Sequence, residues 1–242
     1  MGSKGAGQVT VTSFSVPGPS LPFWEARLRD RAIPVHAGES RFGEPVLSMR
    51  DPSGLDFELV GTERDAREPW TRGGIGADAA IRGIHSVTMT VRSPDDTLAF
   101  MTGDLGFSVV DQAPGRIRVA VHGSAPGRTI DIAHSADADP AVNGLGTVHH
   151  VAMAVANADD QLRVRAHLVE RGCRVTEVLD RQYFTSIYFR EPGGVLFEVA
   201  TVPPGFTIDE PLASLGSSLK LPSWEEPHRH EIEAGLATVT HR

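Results

Sequence analysis

Two short segments carry groups that could do chemistry together. Val148-His149-His150-Val151-Ala152-Met153-Ala154-Val155 alternates like a strand, and so does Val195-Leu196-Phe197-Glu198-Val199 after an Arg190-Glu191-Pro192-Gly193-Gly194 turn. Successive side chains on a strand point to opposite faces. Parity therefore puts Val151, Met153 and Val155 on one packed face, and His150, Ala152 and Ala154 on the other. In the second segment Val195, Phe197 and Val199 pack, leaving Leu196, Glu198 and Ala200 on the open side. His150 and Glu198 then converge on one concave surface. An imidazole beside a carboxylate is a donor pair for a divalent, redox-capable metal.

The layout that positions this pair recurs along the chain, although the pair itself occurs once. Met49-Arg50-Asp51-Pro52-Ser53-Gly54-Leu55-Asp56-Phe57-Glu58-Leu59 reads like Phe189-Arg190-Glu191-Pro192-Gly193-Gly194-Val195-Leu196-Phe197-Glu198-Val199. Both are strand, acidic-Pro-x-Gly turn, strand. Proline presets the first turn dihedral and glycine accepts the positive φ that follows. Alternating segments open three units, at Gln8 to Val16, Gly83 to Val91 and Thr147 to Val155. Each is followed by a helical stretch: Leu21 to Arg31, Asp95 to Thr102 and Asp159 to Arg171. Pro94 ahead of Asp95 and Asp96 suits a helix start, and Gly172 suits a helix stop.

The spacing predicts three βαβββ modules, at 7–62, 81–134 and 146–202, in an α+β fold of curved mixed sheets with helices outside. Polar connectors run from Glu63 to Ala80 and from Asp137 to Gly146. The first contains Arg72-Gly73-Gly74-Ile75-Gly76, which lacks the strand-before, helix-after setting of a phosphate loop. A tail over 203–242 is expected to pack over the modules, with a short helix near His230 to Leu236.

The other two units do not repeat the donor pair. At the positions matching His150 and Glu198 the second unit has Ser86 and Asp131, and the first has Val11 and Glu58. His85 shares the parity of Val87, Met89 and Val91, so it is expected to be a locally bonded histidine at a strand start. Glu58 is expected to be structural. His36, His122, His134 and His167 have no partner at ligand spacing, and His228 and His230 lie in a charged tail. The net charge of −8 argues against nucleic acid and anionic membrane as partners. No apolar run approaches a membrane span. Cys173 is the sole cysteine, which excludes an intrachain disulfide and fits a cytoplasmic location.

Several stretches together resemble the vicinal oxygen chelate superfamily, whose members pair βαβββ modules around a metal. They are Gly83-Ile84-His85-Ser86, the His149-His150 pair, the run Asp180-Arg181-Gln182-Tyr183-Phe184-Thr185-Ser186-Ile187-Tyr188 through Glu198, and Pro203-Pro204-Gly205-Phe206. The nearer likeness is to the ring-cleaving dioxygenases that open hydroquinones. The resemblance implies Fe(II), or alternatively Mn(II), held by His150 and Glu198. It implies pocket roles for His149, Arg181 and Tyr188, which would orient an aromatic substrate or assist proton transfer, with O₂ as co-substrate. It also implies four modules, and the first of them, which supplies a second histidine ligand, has no counterpart in this sequence. Three explanations stand open: a truncated and impaired enzyme, a naturally degenerate one, or a site completed in trans by a homo-oligomer. Two other readings remain beside the dioxygenase. One is a non-catalytic protein that binds small aromatics at a vestigial metal site. The other is a glyoxalase-type lyase or isomerase.

Overall fold

The computed structural model describes residues 1–71 and 73–237. Arg72 of the glycine-rich connector and residues 238–242 of the tail lie outside the described residues. Three βαβββ stretches follow one another. The first is β1 (Gln8–Val16), α1 (Leu21–Asp30), β2 (Val35–Ala37), β3 (Val46–Arg50) and β4 (Asp56–Gly61). The second is β5 (Gly83–Val91), α2 (Pro94–Gly103), β6 (Ser108–Ala113), β7 (Arg116–Ala120) and β8 (Thr129–His134). The third is β9 (Val151–Val155), α3 (Ala158–Glu170), β10 (Leu179–Asp180), β11 (Thr185–Arg190) and β12 (Leu196–Thr201).

Local chemistry accounts for the element ends. Pro94 occupies the first turn of α2, where its missing N–H costs no hydrogen bond, and Asp95 and Asp96 meet the positive end of the helix dipole. The Asn157 side chain caps α3 by accepting from the Asp160 N–H at 2.9 Å. Gly172, at φ 81°, ends it. The two acidic-Pro turns close alike: the Gly54 N–H donates to the Asp51 carbonyl, and the Gly194 N–H to the Glu191 carbonyl. Glu191 goes further, accepting from Val195 N–H at 2.8 Å and from Thr97 Oγ1 on α2 at 2.7 Å.

In each stretch the opening strand runs parallel to the closing one: β1 with β4, β5 with β8, and β9 with β12. The first two stretches join edge to edge through antiparallel β1 and β5, giving an eight-stranded sheet in the order β2-β3-β4-β1-β5-β8-β7-β6. The third forms a separate four-stranded sheet, β10-β11-β12-β9. There β9 is an edge, and among the described residues β12 is its only ladder partner. The strand expected over Thr147 to Val155 is correspondingly short. The opening strands β1 and β5 each run nine residues because a neighbour on either side satisfies their backbone, whereas β9 runs five.

Two apolar clusters fill the structure. One lies under the first stretch, where α1 sets Trp24 and Leu28 against Val16, Leu47 and Leu59. The other is shared: Met89, Val91, Ile132 and Phe100 of the second stretch pack with Leu168, Ile187, Phe189 and Phe197 of the third. The apolar face of the third sheet is covered, as the alternation implies, Phe197 being 0 % and Val199 2 % accessible. Among the described residues nothing pairs with the free side of β9. The tail contributes little cover of its own. Its short helix α4 (Arg229–Gly235) and the residues before it leave Phe206, Ile208, Leu212 and Trp224 exposed. Its firmest anchor is Tyr183, whose ring lies 4.7 Å from that of Phe206 and whose hydroxyl donates to Asp209 at 2.9 Å.

Candidate metal centre

The third sheet brings His150 and Glu198 together. Glu198 sits directly across from Ala152 on β9 and from Tyr188 on β11. His150 lies one residue before β9 and reaches over Ala152, placing its Nε2 2.6 Å from Glu198 Oε2. Alanine at 152 has no side chain to obstruct that approach. Glu198 is only 3 % accessible, and its second oxygen, Oε1, is buried without a hydrogen-bond partner. A buried carboxylate oxygen without a partner is costly, and a cation satisfies it. The residues therefore fit a divalent metal as two of its ligands. Among the described residues no cluster of three or more His, Cys, Asp or Glu is placed to hold an ion, and His150 and Glu198 stand as a pair.

His149, Tyr188 and Arg181 lie around that pair. His149 Nδ1 lies 2.9 Å from His150 Nδ1, so the neighbouring ring bears directly on how His150 is held. The Tyr188 ring stands edge-on to His150, 5.7 Å between centroids. Exposed Arg181 lies over the Tyr188 ring at 5.5 Å, projected there by a turn in which Gln182 takes φ 65°. The Arg181 N–H donates to the Phe184 carbonyl across that turn. The structure thus gathers His149, His150, Arg181, Tyr188 and Glu198 on one open face.

The corresponding cup of the eight-stranded sheet is filled. Glu58 accepts two bonds from Arg41, at 2.7 and 2.8 Å, and one from Ser13 at 2.7 Å. Burial pushes its carboxyl up, but the Arg41 and Ser13 bonds outweigh it and leave it below the usual carboxylate range. Asp131, fully buried, takes Arg118 through both oxygens, at 2.7 and 3.1 Å, and Arg116 at 3.2 Å. Arg118 also donates to Glu44 at 2.9 Å. Against the effect of burial, bonds from His85 and Arg118 hold Glu44 down to about 2.

His85 needs a correction. Ser13 pairs with Ser86 and Phe14 with Ile84, so His85 is the extra residue of a β-bulge and its parity does not follow the strand. Its Nδ1 is 3.0 Å from Ser86 Oγ, the local bond expected, but its Nε2 is 3.3 Å from Glu44, far along the chain. It belongs to the buried charge network. Arg41, Glu44, Arg116 and Arg118 carry that network and were not singled out in the sequence. Arg116-Ile117-Arg118-Val119 did hold a signal, two arginines at strand spacing on the face opposite apolar residues. Arg41 and Glu44 lie in a turn, where no periodicity points to them.

Fold and donor pair define a class: a protein of βαβββ units in curved sheets with a histidine–carboxylate pair on an open face. A family model described as the glyoxalase/bleomycin resistance protein/dioxygenase superfamily matches residues 83–199. The chain belongs to this superfamily. Among curated relatives it is 40 % identical over 235 residues to the "Putative ring-cleaving dioxygenase MhqO" of Bacillus subtilis, covering 97 % of this chain and 74 % of that protein. It is 34 % identical to the chlorohydroquinone/hydroquinone 1,2-dioxygenase of Sphingobium indicum, covering 96 % and 73 %. A solved Bacillus subtilis structure described as a putative dioxygenase superposes with TM-score 0.94 at 39 % identity, over 100 % of this chain and 77 % of that one. Maize glyoxalase I matches with TM-score 0.57 at 14 % identity, a likeness of fold alone. No helix among the described residues is long and apolar enough to cross a membrane.

Proposed function

We propose that this chain is a ring-cleaving dioxygenase that opens a hydroquinone-type aromatic with O₂ in the cup of the third sheet. One observation carries the reading: His150 and Glu198 meet at 2.6 Å, and the second Glu198 oxygen is buried and unpartnered. The relatives named above support the reaction class. His150 and Glu198 would hold Fe(II), with Mn(II) the alternative, and such an ion when bound supplies Lewis acidity and a path for ring electrons to dioxygen. The chain's own groups would do the rest. Arg181 would attract a deprotonated ring hydroxyl by a charge-assisted hydrogen bond. The edge of the Tyr188 ring would wall the pocket beside His150, and its hydroxyl or His149 would take the proton that a ring hydroxyl gives up. The buried apolar face behind the sheet keeps the cup's floor rigid. In this reading the first stretch corresponds to the second module of four-module relatives, and the third stretch is the one that carries the ligands.

The test is oxygen consumption by the Fe(II)-loaded full chain on adding hydroquinone, with mass spectrometry of the product. Ring-opened product with stoichiometric uptake is expected. Hydroquinone binding without uptake would instead leave a small-aromatic binding protein. Uptake-free turnover of a thiol adduct would leave a glyoxalase-type lyase.

A further inference from the structure

Resting on the metal site just described, we propose that Ser186 is a positioning residue for Glu198. Its hydroxyl donates to the carboxylate oxygen that an ion leaves free, and so fixes how Glu198 is presented to the metal. The starting observation is a second orphaned atom. Ser186 is 0 % accessible, and its Oγ, like Glu198 Oε1, is buried with no hydrogen-bond partner among the described residues. A buried hydroxyl has given up its bonds to water and needs a replacement. Two such atoms on one sheet call for a common explanation.

The register sets them side by side. Tyr188 stands across from Glu198 and Ser186 across from Ala200, so these residues share one face of the sheet. Ile187, between Ser186 and Tyr188, points the other way into the core. Ser186 and Glu198 are therefore diagonal neighbours on β11 and β12, a separation that a long side chain can cross. His150 is the diagonal neighbour on the other flank, two residues before the Ala152 that faces Glu198 from β9. Because β9 is parallel to β12 and β11 antiparallel, His150 and Ser186 also lie toward opposite ends of β12. The carboxylate thus has an imidazole nitrogen 2.6 Å from Oε2 on one side and an idle hydroxyl on the other.

The surroundings leave Ser186 little else to do. Its neighbours in the same cross-strand row are Leu179 on β10 and Ala200 on β12, neither with a polar side chain. Full burial keeps it from touching a substrate. The adjacent hydroxyl, on Thr185, is committed to Gln161 of α3 at 2.9 Å. Gln161 Nε2 donates to the carbonyls of Thr185 at 2.9 Å and Val199 at 2.8 Å, the residues next to Ser186 and Glu198, and so pins the two strands at this point. A serine hydroxyl turns about a single bond, so it can be re-aimed while the backbone stays in place. An ion drawing on His150 and Glu198 takes one carboxylate oxygen. The other remains buried and needs a donor, and ligating carboxylates are characteristically held by such a hydrogen bond.

Ser186→Ala in the full chain tests this, with Mn(II) as the probe. Calorimetry should show Mn(II) binding weakened about tenfold or more, as when a metal ligand loses its hydrogen-bond partner. The urea midpoint of the metal-free variant should match or exceed that of the unaltered chain, because the deleted hydroxyl has no partner there. The electron paramagnetic resonance spectrum of bound Mn(II) at saturation should change, since Glu198 is no longer fixed. Affinity within about twofold of the unaltered chain, or an unchanged spectrum, would overturn the proposal. So would a fall in metal-free stability alongside the loss of affinity, which would mark Ser186 as packing. His150→Ala and Glu198→Ala check the metal site separately. If both variants retain Mn(II), or the unaltered chain binds none, the site is wrong and this proposal goes with it. If both lose Mn(II) and Ser186→Ala does not, only the role of Ser186 is lost. A chain inert to hydroquinone that still shows the Ser186 effect would sink the dioxygenase reading alone.

Discussion

The molecule holds two cups built to one plan, and they meet their charges in opposite ways. In the eight-stranded sheet, Glu58 and Asp131 stand where the third sheet has Glu198, and arginines neutralise them through buried, largely bidentate pairs. Ser13 and Thr88, which face them on the opening strands, are themselves hydrogen-bonded. In the third sheet the neighbour of the acid is a histidine, the residue between them is an exposed alanine, and one acid oxygen has no partner. Guanidinium groups hold a fold together but leave no open coordination position. A histidine–carboxylate pair offers lone pairs that an ion can take. The same backbone is thus a stabilising core in one place and a candidate reaction site in the other, and the substitution of a few side chains makes the difference.

Substitutions should separate the two cups. The largest effect on stability is expected from Asp131→Ala, which strands Arg118 and Arg116 in a buried setting and should cost about 3–5 kcal/mol in urea unfolding. Glu198→Ala should cost the metal-free chain no more than about 1 kcal/mol, because one of the oxygens it removes is unpartnered and the other's partner, His150, is partly open to water. Its effect belongs to the metal: Glu198→Ala and His150→Ala should each weaken Mn(II) binding by about 100-fold or more by calorimetry. His85→Ala should leave Mn(II) affinity within about twofold and lower stability by about 1–3 kcal/mol, since Glu44 loses a buried partner. Metal loss in His85→Ala together with retention in His150→Ala would reverse the assignment of the two cups.

Acid should act mainly on the filled cup and its neighbour. Glu44 is held down to about 2 from 4.5, and Asp65, bonded by Arg67 and Ser15, to about 2 from 3.8. Both folded values lie below the unfolded ones. Their stabilisation is therefore fully present above pH 4.5 and is lost as pH falls from there toward 2, a change on the order of a few kcal/mol. Glu44→Gln should flatten that loss in urea midpoints measured from pH 6 to pH 3, and an unchanged slope would remove Glu44 from the account. The smallest effect is expected from Arg181→Lys, which keeps the charge but not the planar fork over Tyr188. It should weaken hydroquinone binding by no more than about tenfold and leave Mn(II) affinity alone.

Much of this was legible in one dimension. Strand alternation separates Val195, Phe197 and Val199 from Glu198, and the structure buries the three apolar residues and sets Glu198 beside His150. Turn chemistry marked the acidic-Pro hairpins, and proline and glycine marked the ends of α2 and α3. These signals are local, because each depends on the dihedral or face preference of a few consecutive residues. The local bond of His85 was legible, but its face and its contact with Glu44 were not, for a non-local reason. A bulge in the β1–β5 ladder shifts its face, and a bulge exists only once two strands are paired.

What the sequence determined by itself was the periodic content of three βαβββ units and the types of the groups on each strand face, since these follow from backbone geometry residue by residue. Tertiary structure alone decided which units share a sheet, that arginines from β7 and a remote turn fill one cup, and that the third unit forms a sheet of its own. Those outcomes rest on contacts between residues tens of positions apart, where burial and charge pairing choose the partner and no local pattern encodes it.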